Sequence, residues 1–318
     1  MILPDTWRPF LGAAIVSLSG VWVRLADVEP ARSAFLRNAY AVPVLVALVA
    51  LERRRQRARG ATPTALWQPW ALAAGLFWAV DLTLFHAAIG IVGAGLGTVL
   101  PSVQVVVVGL AAVLLLGERP RPAFWLALPV VLAALAGLGL TGRSIVPGGS
   151  VPLGVGLGVG VAVAYAGAIL LLRRARAADA DGSGVLALLW LSVGAAAGAG
   201  AAAAATGSAA PAGWPADGWL VTLALGSQVV GWLLLTSSMH RLPALATSVA
   251  LLLQPTLAVV WGVVLLGEPL GGVQIALAGL LLAGVAVAHR AVAPSPVSSD
   301  ADAPRLPGSD PGARPRGA

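Results

Sequence analysis

Long apolar runs separated by short polar segments follow one another along almost the whole chain. A helix of about 20 apolar residues is long enough to cross the hydrocarbon core of a bilayer. The short alternating segments typical of membrane β-strands do not occur. The pattern therefore predicts an all-α integral membrane protein with ten transmembrane helices, over residues 9–25, 32–51, 67–88, 94–116, 121–140, 152–172, 184–206, 218–238, 244–266 and 271–289.

The second half of this pattern repeats the first. Residues 93–118 align with residues 243–268 without a gap, and eight of the 26 aligned pairs are identical. Aliphatic identities arise easily by chance in so apolar a chain. Chance is a poor explanation for the shared glutamine (Gln104 and Gln254) and for the Gly-Glu pair that closes both segments. Self-similarity at a fixed spacing indicates two copies of one unit, each with five of the predicted helices.

The distribution of arginine predicts how the chain is oriented in the membrane. All twenty basic residues are arginine, and sixteen of them fall on one side of the predicted bundle against four on the other. The positive-inside rule then places both termini in the cytoplasm, in a multi-pass protein of the cytoplasmic membrane. Because each copy has an odd number of helices, the second copy enters the membrane upside down. Inverted repeats of this kind are common in secondary transporters.

Composition and motifs exclude several classes of function. Only 10% of the residues are charged and the mean hydropathy is +0.89, whereas soluble domains carry about 25% charged residues. The net charge of +7 comes from short loops, so it does not indicate a nucleic-acid partner. The sequence has no cysteine and no HExxH, GxSxG or GxxxxGK[ST] motif. It therefore predicts no enzymatic activity, no metal, no cofactor and no nucleotide hydrolysis by this chain.

The end of the repeated segment carries a family resemblance. In both copies an aliphatic run closes with Leu-Gly-Glu, which places Gly117 and Glu118 in the first copy and Gly267 and Glu268 in the second. A proline, Pro255, lies about a dozen residues upstream in the second copy. On these residues, and on a tryptophan in helix 1 and an arginine early in helix 2, each copy resembles an EamA domain of the drug/metabolite transporter (DMT) superfamily.

The resemblance implies a ten-helix carrier built from two inverted EamA repeats around a central cavity. Helices 3, 4, 8 and 9 would line the cavity, with contributions from helices 1 and 6. The two repeats are predicted at 1–140 and 152–290, joined by a Gly- and Pro-rich linker at 141–151. Residues 291–318 are rich in Pro, Ser, Asp and Gly, which predicts a disordered cytoplasmic tail. Members of the family include exporters of amino acids and other small metabolites, commonly driven by proton or exchange coupling.

Asp81 is the acidic residue that lies deepest in a predicted helix. A charged side chain at the centre of a membrane helix costs about 2.5–3.5 kcal/mol, so it is expected to face a cavity or a partner. Trp78 and Phe85 lie on the same helical face. Two interpretations are open: a substrate or proton site in an aromatic stripe, or a structural ion pair with Arg37 or Arg24. His86 lies about 140° around the helix and is expected at the membrane interface.

Other polar residues in the predicted spans are candidates for the same cavity. Arg37 lies inside helix 2, where it could extend to the interface or bind a substrate carboxylate. Gln104 and Gln254 could bind a zwitterion or bridge two helices. Further candidates for the cavity wall are Thr98, Tyr165 and Trp232.

The two glutamates of the family motif have a different expected role. Glu118 and Glu268 each precede the next helix in the chain. A carboxylate at that position accepts hydrogen bonds from the first amides of the helix and faces its positive dipole end. We therefore expect each to cap the following helix and to serve the architecture.

Together these observations predict a secondary active transporter that exports a small polar metabolite, such as an amino acid, by alternating access. Its expected partners are the lipid bilayer, the substrate and a coupling proton, with no nucleic acid. A monomer and a homodimer both remain open. The alternatives are an energy-independent uniporter or channel-like facilitator, and a structural or sensory membrane protein.

Overall fold

The structure is a computed structural model that describes residues 7–60, 67–104, 106, 107, 110, 114, 121–141, 144, 145, 147–177, 184–237 and 244–292. Gly117, Glu118 and the predicted tail from residue 293 onward lie outside these ranges. The helices are α1 Arg8–Ser17, α2 Ser19–Ala26, α3 Pro30–Ala58, α4 Pro69–Val99, α5 Pro122–Thr141, α6 Val151–Ala177, α7 Val185–Ala205, α8 Ala216–Thr222, α9 Trp232–Ser237, α10 Ala244–Leu266 and α11 Gly272–Val292. A 3₁₀-helix (Leu100–Val103) follows α4, and a π-helix (Leu223–Gly231) joins α8 to α9.

The described part of the chain is an all-helical membrane protein, as predicted. Seven helical segments are long and apolar enough to cross a membrane, and two shorter apolar helices lie near the C-terminus. Nine of the ten predicted spans thus have an apolar helix among the described residues. Large apolar side chains such as Leu114, Leu126 and Val264 are more than 65% exposed on the outside of the bundle, where a bilayer would cover them. The remaining predicted span, 94–116, is the fourth in chain order, and its first residues continue α4.

A break in α4 marks the boundary between the third and fourth predicted spans. Two helical stretches of α4 meet at Gly93, whose φ of 90° and ψ of 167° are not helical. Glycine adopts a positive φ without the steric cost that a Cβ would add. Beyond the break, Pro101 lies in the 3₁₀-helix, which suits a residue without an amide hydrogen. The path from Gly93 to Gln104 therefore contains one break in the helix, followed by one 3₁₀ segment.

The core lies between the two repeats. Helix α4 belongs to the first repeat and packs most extensively on α6 and α7, and further on α10, all of the second repeat. Likewise α3 packs on α7 and α5 packs on α11. The apolar clusters mix residues from both halves of the sequence; one of them joins Phe124 and Val131 to Leu281 and Val285. Each repeat thus buries its apolar faces against the other.

The closest of these contacts joins α4 to α7 through two glycines. A Cβ on Gly75 would overlap the carbonyl oxygen of Leu191, and a Cβ on Gly194 would overlap the carbonyl oxygen of Leu72. Small residues let membrane helices approach backbone to backbone, where dispersion contacts replace the hydrophobic effect. This crossing therefore requires glycine on both helices.

Replacing either glycine should destabilise the protein. We expect Gly75→Ala and Gly194→Ala each to lower stability in detergent by about 1–3 kcal/mol, the usual cost of overpacking. Gly90→Ala is the matched control on α4, because a Cβ there meets no atom within 4 Å. Alanine in a helix is otherwise favoured over glycine, so the control should melt at or above the wild-type temperature. Equal melting of Gly75→Ala and Gly90→Ala would contradict the helix crossing.

Candidate functional site

Three aromatic side chains from three helices meet inside the bundle. The ring of Trp78 lies 4.9 Å from the ring of Trp232 in an edge-to-face contact and 5.4 Å from the ring of Tyr165. Trp78 comes from α4 of the first repeat, whereas Tyr165 and Trp232 come from α6 and α9 of the second. Edge-to-face contacts at these distances are favourable for aromatic rings. The structure thus brings together three residues that the sequence indicated separately; we call them the aromatic triad.

Asp81 lies one turn further along α4 and is 4% exposed. It interacts electrostatically with Arg37 and with Tyr165. No guanidinium nitrogen of Arg37 lies within 4.0 Å of a carboxylate oxygen of Asp81, so these two described residues form no ion pair. The Oδ1 atom of Asp81 is buried without a hydrogen-bond partner. The carboxyl group therefore faces an arginine without being satisfied by it.

Arg37 is held inside the bundle by serines that the sequence analysis did not single out. Its guanidinium Nη2 donates to the hydroxyl of Ser227 at 3.1 Å. That hydroxyl lies 3.0 Å from the hydroxyl of Ser19, which donates to the carbonyl of Val16. Arg37 is only 2% exposed, so its side chain faces the interior of the bundle. The chain of hydrogen bonds joins helices of both repeats.

The π-helix positions the second-repeat side of this network. It carries Ser227 and Gln228, both fully buried, and the Gln228 amide donates to Ser192 at 3.2 Å. When the two copies are aligned, Gln228 corresponds to Trp78 and Gly231 corresponds to Asp81. π-Helical turns often occur at functional sites. The signal in the sequence was a Ser-Gln pair inside an otherwise apolar span.

Around the aromatic triad, four polar atoms are buried without a hydrogen-bond partner. Two are donors, Nε of Arg37 and Nε1 of Trp78, and two are acceptors, Oδ1 of Asp81 and Oε1 of Gln104. Gln104 also interacts with the hydroxyl of Tyr165. Buried polar atoms are nearly always hydrogen-bonded, and the cost of leaving them unpaired is high in a membrane. We call this group of side chains the polar cluster.

The remaining candidates do not join the polar cluster. The Thr98 hydroxyl donates to the carbonyl of Ala94 in its own helix at 2.8 Å. Phe85 is buried with Trp78 and Asp81 but packs in a separate apolar cluster. Gln254 is half-buried in α10, one residue before the buried Pro255, and among the described residues it forms no hydrogen bond with the polar cluster. His86 is 3% exposed, and its ring packs beside Phe85; its position at the membrane interface stays a prediction.

Glu268 also differs from its expected role. Its carboxylate accepts hydrogen bonds from the amides of Ala94 and Gly95, the latter at 3.1 Å. The expected cap on the following helix is wrong, because there the side chain of Gln274 accepts from the amide of Gly271 at 2.8 Å. Glu268 instead caps the broken helix of the other repeat. Its counterpart Glu118 lies outside the described residues.

Comparison with known proteins agrees with this two-repeat organisation. The model of the EamA-like transporter family matches residues 9–140 and again residues 152–289. The chain belongs to this family. A solved structure titled "Crystal structure of protein" is similar to this EamA chain with a TM-score of 0.55 and 20% sequence identity, over 89% of this chain and 96% of that one. That likeness concerns the fold alone. No curated protein matches the sequence.

The unpaired state of Asp81 predicts how its neutralisation affects the stability of this EamA protein. Asparagine keeps the shape of the side chain and removes the charge, so Asp81→Asn should leave the melting temperature in detergent unchanged or raise it. Loss of a buried ion pair would instead cost about 3–5 kcal/mol, and a lower melting temperature would therefore contradict the geometry.

Asp217→Asn is the matched control for that measurement. The Asp217 carboxylate accepts from the amides of Ala212 and Gly213 at 3.0 and 2.8 Å and from the hydroxyl of Tyr40 at 2.9 Å. Hydrogen bonds to a charged group contribute about 1.5–3 kcal/mol each. This variant should therefore melt at a lower temperature than the wild type.

Proposed function

We propose that this EamA-family protein is a secondary active exporter of a small polar metabolite, such as an amino acid, that works by alternating access with proton or exchange coupling. The observation that carries the proposal is the polar cluster, in which two donors and two acceptors lack partners between the two repeats. Family membership supports transport; the cluster supports the substrate class and the site.

The unpaired atoms match the two ends of a zwitterion. Arg37 and Trp78 offer N–H groups to a carboxylate, whereas Asp81 and Gln104 offer oxygen atoms to an ammonium group. An arginine binds carboxylates well because its donors are planar and permanently charged. The face of an aromatic ring such as Tyr165 can further stabilise a cation. A substrate with one charge of each sign would leave no net charge buried in the membrane.

Asp81 supplies a simple basis for proton coupling. Its carboxyl group can be neutralised by a proton or by the ammonium group of a bound substrate, and the same oxygen atom, Oδ1, is available to either. Competition between the two at one site would couple outward movement of substrate to inward movement of a proton. Because linkage is reciprocal, each ligand would weaken the binding of the other.

The position of the cluster supports alternating access. Its four unpaired atoms belong to the first repeat, and Tyr165 of α6 and Trp232 of α9 bring the second repeat against Trp78, so the cluster lies where the repeats pack together. Carriers built from two repeats bind substrate near the bilayer midplane and open alternately to each side as the repeats rock.

The substrate is identified by comparing cells that express wild type, Asp81→Asn and Asp27→Asn at equal membrane levels. Asp27 is exposed and lies at a helix end, so its substitution controls for the loss of one carboxylate elsewhere. Untargeted metabolomics of medium and extract should show one zwitterionic metabolite that moves outward with wild type and with Asp27→Asn. With Asp81→Asn its export should fall about tenfold, since a charged hydrogen bond contributes about 1.5–3 kcal/mol.

Two results would contradict the proposal. If no metabolite differs between wild type and an empty vector in several media, export is wrong. If the metabolite moves equally with Asp81→Asn, the assigned site is wrong. Collapsing the pH gradient with a protonophore then separates coupled export from a facilitator, because only net export against a concentration gradient requires an energy source.

A further inference from the structure

The Glu268 carboxylate joins the two repeats at one end of the bundle. Because Gly93 interrupts α4, the amides of Ala94 and Gly95 begin a new helical segment. The first amides of a helix have no carbonyl partner in a preceding turn. The two oxygens of Glu268 accept from these two amides, one each. Glu268 is 7% exposed, so the hydrogen bonds are shielded from solvent. Charge-assisted bonds at the positive end of a helix are short and strong.

The backbone of the second repeat fixes this carboxylate. Gly267 ends α10 with φ 62°, a conformation that glycine adopts readily. The amide of Glu268 then donates to the carbonyl of Gly262 at 3.0 Å, and its carbonyl accepts from the amide of Leu270 at 2.9 Å. The glycine of the Leu-Gly-Glu motif therefore turns the chain, and the glutamate reaches across to the other repeat.

Gly262 provides the space that the carboxylate occupies. A Cβ at Gly262 would overlap Oε2 of Glu268 and would lie 3.1 Å from the amide nitrogen of Gly95. A Cβ at Gly95 would in turn lie 3.1 Å from the Cα of Val259. The helices thus touch beside the carboxylate, and a larger residue at position 262 would push it off the amides.

This contact lies on the helix that carries the polar cluster. Helix α4 bears Trp78 and Asp81 before the break, and the chain beyond the break leads to Gln104. Any rocking of one repeat against the other changes the distance between Glu268 and the break. When the contact opens, water can satisfy both the carboxylate and the freed amides, so the bonds can break and re-form reversibly.

We propose that Glu268 is an inter-repeat latch: its carboxylate keeps this end of the carrier closed and positions the broken helix α4, and it releases the amides of Ala94 and Gly95 when that end opens. The inference rests on the proposed function, since it assumes alternating access. Glu268 is a positioning residue, because it acts through α4 and not through contact with the substrate.

Single-cysteine labelling tests the latch directly, because the natural chain contains no cysteine. Thr98→Cys places a reporter one helical turn beyond Ala94, at a position that is 6% exposed. A membrane-impermeant maleimide is added to intact cells and to inverted membrane vesicles, so that both faces are sampled. Glu268→Gln keeps the size of the side chain and loses one acceptor. It should raise the labelling rate from one face about tenfold, as expected when a minor open state becomes well populated.

Two controls separate the latch from the general loss of a helix cap. Glu29 accepts from the amides of Ala31 and Arg32 at 3.0 and 2.8 Å, a two-amide cap on its own helix, and from the hydroxyl of Ser208 at 3.1 Å. None of these groups lies on α4, the helix that carries the reporter. Glu29→Gln should therefore leave labelling at the wild-type rate.

A glycine pair provides the second test. Gly262→Ala displaces the carboxylate without changing it and should raise labelling as Glu268→Gln does. Gly156→Ala, whose added Cβ meets no atom within 4 Å, should not.

The latch is overturned if labelling in folded Glu268→Gln and Gly262→Ala stays at the wild-type rate, or if Glu29→Gln raises it equally. If Glu268→Gln does not fold, Gly262→Ala decides the matter alone. The assay uses no substrate, so its result is independent of whether metabolomics finds one. If the variants are labelled faster but no exported metabolite is found, the proposed function is wrong. The contact between the repeats at Glu268 is still supported in that case.

Discussion

The structure depends on one constraint: a helix that is interrupted inside a membrane protein exposes amides that water cannot reach. Here the interruption lies at Gly93, and the amides after it are satisfied by a carboxylate from the other half of the chain. The contact allows α4 to change direction where the repeats meet. The course of the chain toward Gln104, and with it one side of the polar cluster, follows from that change of direction.

The interior of the bundle combines satisfied and unsatisfied polar groups. Arg37 is joined through Ser227 and Ser19 to the backbone of the first helical span, which fixes one end of its guanidinium. Its Nε atom remains without a partner, as do atoms of Trp78 and Asp81. A purely structural core would leave few such atoms. Atoms of Asn38 and Gln228 are also unpaired, but the four of the polar cluster belong to residues that are linked through Asp81 and Tyr165.

Much of this could be predicted from the sequence, and the failures have physical causes. An acid and a tryptophan inside an apolar span stand out, so Asp81 and Trp78 were identifiable. Serines do not stand out, because in membrane helices their hydroxyls commonly bond the preceding turn, as Ser17 does. The bonding partner of Glu268 is a pair of backbone amides about 174 residues away, and backbone amides leave no mark in a sequence. Phe85 shares a helical face with Trp78, but spacing alone cannot show which cluster it enters.

Asp81 and Gly231 occupy equivalent positions in the two copies, and this difference bears on the direction of transport. If the two halves were identical, exchanging their conformations would turn the inward-facing site into the outward-facing site, and a ligand would bind equally well from either side. One half contributes a carboxyl group at this point and the other contributes no side chain at all. In the proposed carrier, the two orientations would therefore surround a ligand differently, and its affinities on the two faces of the membrane would be free to be unequal.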